Sequence, residues 1–83
     1  MRFYLKQYES EAVAFDKASG DTHYLTPLAN TVHSVLVSNP GVTTSELLSL
    51  VAQRLDLPTE PFLEAQIKDI VVHLHRIGLV HAP

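Results

Sequence analysis

The sequence contains no cysteine and only three glycines among its 83 residues. Without cysteine the chain can form neither a disulfide nor a thiolate metal site. Small secreted domains often depend on disulfides, so their absence favours a cytoplasmic location. Three widely separated glycines are too few for a glycine-rich loop that cradles phosphate.

Charge and long apolar runs are also scarce. Charged residues make up 18% of the chain, and its formal net charge is −3. A nucleic-acid-binding domain usually carries a basic face that displaces counterions from phosphates, and six scattered lysines and arginines do not supply one. No run approaches the roughly 18 apolar residues of a membrane span, and the first residues lack the apolar core of a signal peptide. Neither nucleic acid nor a membrane is therefore predicted as a partner.

What the chain does contain is typical of a small globular domain. Apolar residues make up 46% of it, which is normal for a protein with a packed core. The length corresponds to one domain, and no linker or repeat divides it. We therefore expect residues 1–83 to form a single domain.

The first third of the chain alternates with the period of β-strands. Phe3 and Leu5 alternate with polar neighbours, which predicts a strand over about 2–8. Val13 and Phe15 alternate in the same way over about 11–17. A turn around Gly20, which can adopt a positive φ, then leads to a third strand over about 22–26. The prediction is an antiparallel meander of three strands.

Three helices are predicted after the meander, over about 27–38, 43–56 and 60–77. Thr26 followed by Pro27 is a typical helix start, and Thr43 with Glu46 forms a capping box. The third helix has the most regular apolar stripe, and Gly78 fits a left-handed cap at its end. That stripe comprises Leu63, Ile67, Ile70, Leu74 and Ile77.

A short terminal strand over 79–81 is a further expectation. The fold class is then α+β: an N-terminal three-stranded antiparallel β-meander followed by three helices, a winged-helix-like order. All of these elements fall within the one predicted domain.

No catalytic or metal-binding motif accompanies this fold. The chain has no G-x-S-x-G turn and no H-E-x-x-H pair. His73 and His75 are two residues apart on a predicted helix, so they point about 200° away from each other and cannot share a metal ion. We therefore expect no enzyme activity, no cofactor and no metal.

The last two helices resemble a helix-turn-helix, which keeps a DNA-binding regulator as an alternative. The third helix would then read the DNA. Outside its stripe it carries more acidic than basic side chains, an arrangement that repels phosphates. These residues are Glu60, Glu64 and Asp69 against Lys68 and Arg76.

The third strand offers a different kind of site. An edge strand is a template for another strand, and Thr22–Leu25 contains neither proline nor lysine to block pairing. A peptide added as a strand would use it, and so would a second copy in a homodimer or a structural subunit. Val71 lies beside the stripe of the third helix, where it either widens the core face or lines a groove for a partner.

The whole order, over roughly residues 2–81, resembles the PqqD-like peptide chaperones. Members show an F-D-x-x-S-G-x-T-H-x-L-x-x-L-A run, which stands here as residues 15–29. A T-x-x-E-L helix start follows at 43–47, and a final L-x-x-x-G-L-[VI] pattern at 74–80. The similarity is greatest to the subgroup encoded beside an HPr-kinase-like protein.

The resemblance implies a winged-helix-like RiPP recognition element. Such domains bind the leader of a ribosomally made precursor peptide and present it to a modifying enzyme, here a peptide-modifying or HPr-kinase-like protein. The leader would add as a strand to the third strand, in a groove beside the third helix. Carried over by position, the peptide-binding residues are Thr22, His23, Tyr24, Leu25, Ile67, Ile70, Val71 and Leu74.

Overall fold

A computed structural model describes residues 2–80. Three strands, β1 (Phe3–Tyr8), β2 (Glu11–Asp16) and β3 (Thr22–Leu25), precede three helices, α1 (Pro27–Ser38), α2 (Thr44–Leu55) and α3 (Pro61–Arg76). The strands are antiparallel and β2 lies in the centre. The predicted α+β order is confirmed, and every element begins and ends within one residue of its predicted range.

The predicted strand over 79–81 does not form in the part of the chain that is described. Leu79 and Val80 form a bend, and His81 lies outside the described residues.

Both predicted helix starts are made by side-chain caps. Thr26 Oγ1 accepts a hydrogen bond from the Ala29 N–H at 3.2 Å, and Pro27 occupies the first helical position. Thr43 Oγ1 accepts from the Glu46 N–H at 3.2 Å, and Glu46 Oε1 accepts from the Thr43 N–H at 3.0 Å. Each cap satisfies backbone donors that have no partner within the helix, so these boundaries are specified locally.

The buried face of the sheet carries the smaller residues of β2. Ala12 and Ala14 are fully buried and Asp16 is only 2% exposed. The larger apolar residues whose alternation predicted this strand, Val13 and Phe15, lie on the opposite face, and Phe15 is 40% exposed. Helix α1 packs on the inner face over β2 and β3, and small side chains at this contact let helix and sheet approach closely.

The core lies between this inner face and the three helices. Leu25 of β3 packs there with the buried residues of every helix. Of the predicted α3 stripe, Leu63, Ile67 and Leu74 are buried, whereas Ile70 and Ile77 are half-buried. The stripe is therefore narrower than predicted, because α3 packs against α1 and α2 alone among the helices and strands.

The end of α3 is closed by Gly78, as predicted. Its φ is +86°, its N–H donates to the His75 carbonyl at 3.1 Å, and the Leu79 N–H donates to the Leu74 carbonyl at 3.0 Å. These two bonds define a Schellman cap, in which Leu79 packs back on the helix. A Cβ at position 78 would also lie 2.6 Å from Nη1 of Arg2.

We expect Gly78→Ala to lower the free energy of unfolding by more than about 1 kcal/mol, the usual loss for a Cβ at positive φ. The excess arises because the Arg2 guanidinium must move. Gly41→Ala is the matched control, since Gly41 has a φ of +81° and nothing within 4 Å of its added Cβ. Urea unfolding of both variants measures the difference. Equal losses would mean that Arg2 moves freely.

Arg2 is held in place by Asp16. Its Nε and Nη2 donate to the Asp16 carboxylate at 2.7–3.1 Å, and the same carboxylate accepts from the backbone N–H groups of Ala18 and Ser19. The hydrogen bonds from Arg2 hold the pKa of Asp16 well below its usual range. The pair joins the beginning of β1 to the end of β2, at the place where α3 ends.

We expect stability to fall in two steps as the pH is lowered. Burial lowers the pKa of His33 from its ordinary 6.5, so the unfolded chain takes up this proton first and stability falls below that pH. The Asp16 pKa is lowered as well, so a second loss begins near its ordinary 3.8. Urea unfolding between about pH 3 and 8 measures both steps. His33→Gln should remove the upper step and Asp16→Asn the lower; an unchanged slope in either variant would contradict its assignment.

Candidate functional site

The backbone of β3 has free hydrogen-bonding groups on its outer edge. The Asp16 N–H donates to the Asp21 carbonyl at 2.8 Å, and bonded pairs alternate along an antiparallel ladder. His23 and Leu25 therefore bond to β2, while the N–H and C=O groups of Thr22 and Tyr24 point away from the sheet. Within residues 2–80, no backbone or side-chain group bonds to these outward groups.

Helix α3 does not cover this edge. It packs against α1 and α2, and no Cα atom of α3 lies within 8 Å of a Cα atom of β3. A strand added to β3 would lie about 4.8 Å from it. The space at that distance is therefore not taken by α3.

The four predicted residues of β3 divide between two faces. Thr22 and Tyr24 are exposed on the outer face, and Tyr24 is 59% accessible. His23 is half-buried on the inner face, with its ring 6.5 Å from that of Phe3 on β1. Leu25, beside it on the inner face, is only 1% exposed and belongs to the core. Only the first three have side chains that an added peptide can reach.

The four predicted residues of α3 divide in the same way. Ile67 and Leu74 are 1% and 0% exposed, so they support the core and leave no surface for a groove wall. Ile70 and Val71 are half-buried. The structure does not bring the Val71 side chain to β3, because Val71 faces α1 and the segment that follows it.

Two apolar pockets show where open space lies. The first, of about 460 Å³, lies between the end of α1, residues 39–42 and the end of α3, and Val71 and His75 line it. The second, of about 350 Å³, lies between β1 and α1. None of the residues that line these two pockets belongs to β3. Any wall for a peptide at β3 must therefore come from the half-buried surface around Ile70 and His23.

The outer face of the sheet is rich in aromatic side chains, a feature that the sequence patterns did not reveal. Tyr4, Tyr8, Phe15 and Tyr24 are between 40% and 61% exposed. The Tyr24 hydroxyl donates to Glu11 Oε2 at 2.7 Å, and this bond to a carboxylate raises the pKa of Tyr24. Its signal was the register: all four residues share one face once Val13 is paired with Lys6 and Tyr24.

Metal and membrane sites were also examined in residues 2–80. In that range no group of three or more histidines and acidic residues is arranged to hold a metal ion. No helix of the same stretch has the length and apolar character required to cross a membrane.

No protein-family model and no curated protein matches this sequence. The fold is similar to that of a solved structure, TbiB1 in complex with the TbiA(beta) leader peptide, with a TM-score of 0.76. The chain shares its fold with TbiB1. The two sequences are 16% identical, and the similarity covers 99% of this chain and 92% of TbiB1. Because identity is this low, the likeness to TbiB1 establishes the architecture, and the PqqD-like assignment and its HPr-kinase-associated subgroup stay predictions.

Proposed function

We propose that this chain is a non-catalytic adaptor that captures the leader of a ribosomally made precursor peptide and presents it to a modifying enzyme. The observation that carries the proposal is the free outer edge of β3, where the backbone groups of Thr22 and Tyr24 have no partner within residues 2–80. The fold shared with TbiB1, whose solved complex contains a leader peptide, supports it.

The proposed binding mode is strand addition to β3. Two outward residues offer two N–H donors and two C=O acceptors, which give affinity without regard to peptide sequence. Side chains of the added strand alternate between the two faces of the sheet. Those on the inner face would lie beside His23 and near Ile70, with Leu25, Ile67 and Leu74 as the rigid support behind them.

No observation favours the alternative of a DNA-binding regulator. Lys68 of α3 is paired with Glu64 at 3.2 Å, which neutralises one of the few basic groups on this helix. Glu60 and Asp69 oppose the remaining Arg76. A helix with this balance would repel the phosphates that it must approach.

The test is a selection followed by mapping. Random peptides of about 20 residues, displayed on their own mRNA, are selected on the immobilised chain, and a recovered peptide is titrated into the isotope-labelled protein. We expect the amide signals of Thr22 and Tyr24 to shift most. Shifts confined to α1, or to residues around Pro40, would contradict strand addition even if the peptide binds.

A further inference from the structure

The free edge of β1 is a second place where a strand can pair, and it is the longer of the two. The Arg2 carbonyl accepts from the Lys17 N–H at 2.8 Å, so the alternation of bonded pairs directs Tyr4, Lys6 and Tyr8 toward β2. The backbone groups of Phe3, Leu5 and Gln7 therefore point outward. Among the described elements, only β2 comes within 8 Å of β1, Cα to Cα.

An apolar pocket accompanies this edge on the inner face. Its volume is about 350 Å³, and Phe3 and Leu5 of β1 line it with His33, Val37 and Leu79. The pocket exists because α1 lies over β2 and β3 and leaves β1 uncovered. Val37 is 63% exposed at its border. An inward-pointing side chain of a strand added to β1 would enter this space.

We propose that two copies of this chain pair antiparallel through β1, about a two-fold axis at Leu5, and form a continuous six-stranded sheet. This pairing leaves both β3 edges free, so it is independent of the proposed peptide site. The occupant is argued to be a second copy because one register of β1 against itself matches both hydrogen bonds and charges.

Two symmetric registers overlap most of β1. With the axis at Leu5, the three outward residues all form bonded pairs: Leu5 with Leu5 of the second copy, and Phe3 with its Gln7 on each side. With the axis at Lys6, only Leu5 and Gln7 pair in this way, and the two Lys6 side chains lie directly opposite each other. Like charges at opposed positions are unfavourable, so the Lys6 register is disfavoured on both counts.

The Leu5 register also gives Lys6 a suitable neighbour. It places Lys6 opposite Tyr4 of the second copy, twice in the dimer, where an ammonium group can lie over an aromatic ring. Lys6 already has this type of contact within the chain, with its Nζ 5.6 Å from the centre of the Tyr8 ring. On the inner face, each Leu5 would fill the pocket of the other copy.

Sedimentation equilibrium of the whole chain tests the proposal. A single strand pair makes a small interface, so we expect a micromolar to millimolar dimer and measure up to about 1 mM. Tyr4 is 61% exposed, so it can be changed without disturbing the core. Tyr4→Lys should weaken the dimer about 5-fold by facing Lys6 with a like charge, and Tyr4→Glu should strengthen it by a similar factor. A monomer at every concentration, or equal effects of the two changes, would overturn the proposal.

Cysteine cross-linking tests the register, because the chain has no cysteine of its own. Opposed residues of a bonded pair have Cα atoms about 5.5 Å apart, within the range of a disulfide. Leu5→Cys should therefore oxidise to a covalent dimer. Lys6→Cys is the control, since the two Lys6 positions would be diagonal neighbours about 7–8 Å apart and too distant to bridge. Faster cross-linking at position 6 would refute the Leu5 register.

Discussion

Replacing Ile67 with alanine is expected to lower the free energy of unfolding by about 2–5 kcal/mol, the usual range for a buried large-to-small change. Ile67 is 1% exposed and lies in the core shared by the inner face of the sheet and all three helices. The loss removes apolar burial and leaves a cavity that the neighbouring backbone cannot fill. Urea unfolding followed by circular dichroism measures it.

The size of this loss matters because the chain is short. A domain of this length has a total stability of roughly 5–10 kcal/mol, so Ile67→Ala should be partly unfolded near its melting range. Val72→Ala is the matched control on the same helix, because Val72 is 55% exposed and should lose less than about 0.5 kcal/mol. If the two variants unfold at the same urea concentration, α3 does not support the core as described.

The elements that could be predicted from the sequence are those with local causes. The capping box of Thr43 and Glu46, the cap of Thr26 and the left-handed Gly78 each involve residues within a few positions of each other. Such contacts form in any chain with that local order. For this reason the boundaries of the helices agree with the prediction to within one residue.

The features that could not be predicted depend on contacts between distant elements. Alternation shows that β2 is a strand, but the buried face is chosen by α1, which needs the small Ala12 and Ala14 beneath it. The position of Val71 is decided in the same way by how α3 packs on α1. A helical stripe gives the direction of the core and does not show what stands on its flank.

The candidate edge required a further step, from strand to backbone direction. The sequence identifies Thr22–Leu25 as an edge strand but does not show which of its N–H groups point outward. One ladder bond, from Asp16 to Asp21, settles this by alternation. The free donors belong to Thr22 and Tyr24, and those of His23 and Leu25 are used by β2. This distinction makes the proposed peptide site testable at single atoms.

Tyr24→Pro is expected to weaken binding of a selected peptide by about 10- to 100-fold while leaving the fold intact. Proline removes the outward N–H of residue 24 and places its ring where the added strand must lie. It does not remove a bond between β3 and β2, since the Tyr24 N–H is not part of that ladder. Isothermal titration measures the affinity, and urea unfolding measures the stability of the variant.

Two controls separate the backbone from the side chain. Tyr24→Ala removes the same aromatic ring and its bond to Glu11 but keeps the N–H, so it should bind almost as well as the original chain. His23→Pro removes an N–H that bonds to Ala14 of β2, so it should destabilise the sheet itself. Strand addition requires Tyr24→Pro to bind far more weakly than Tyr24→Ala, because only the backbone donor differs in kind between them. Equal binding by these two variants would show that the peptide contacts the aromatic outer face or one of the pockets, and that the free edge of β3 is not its site.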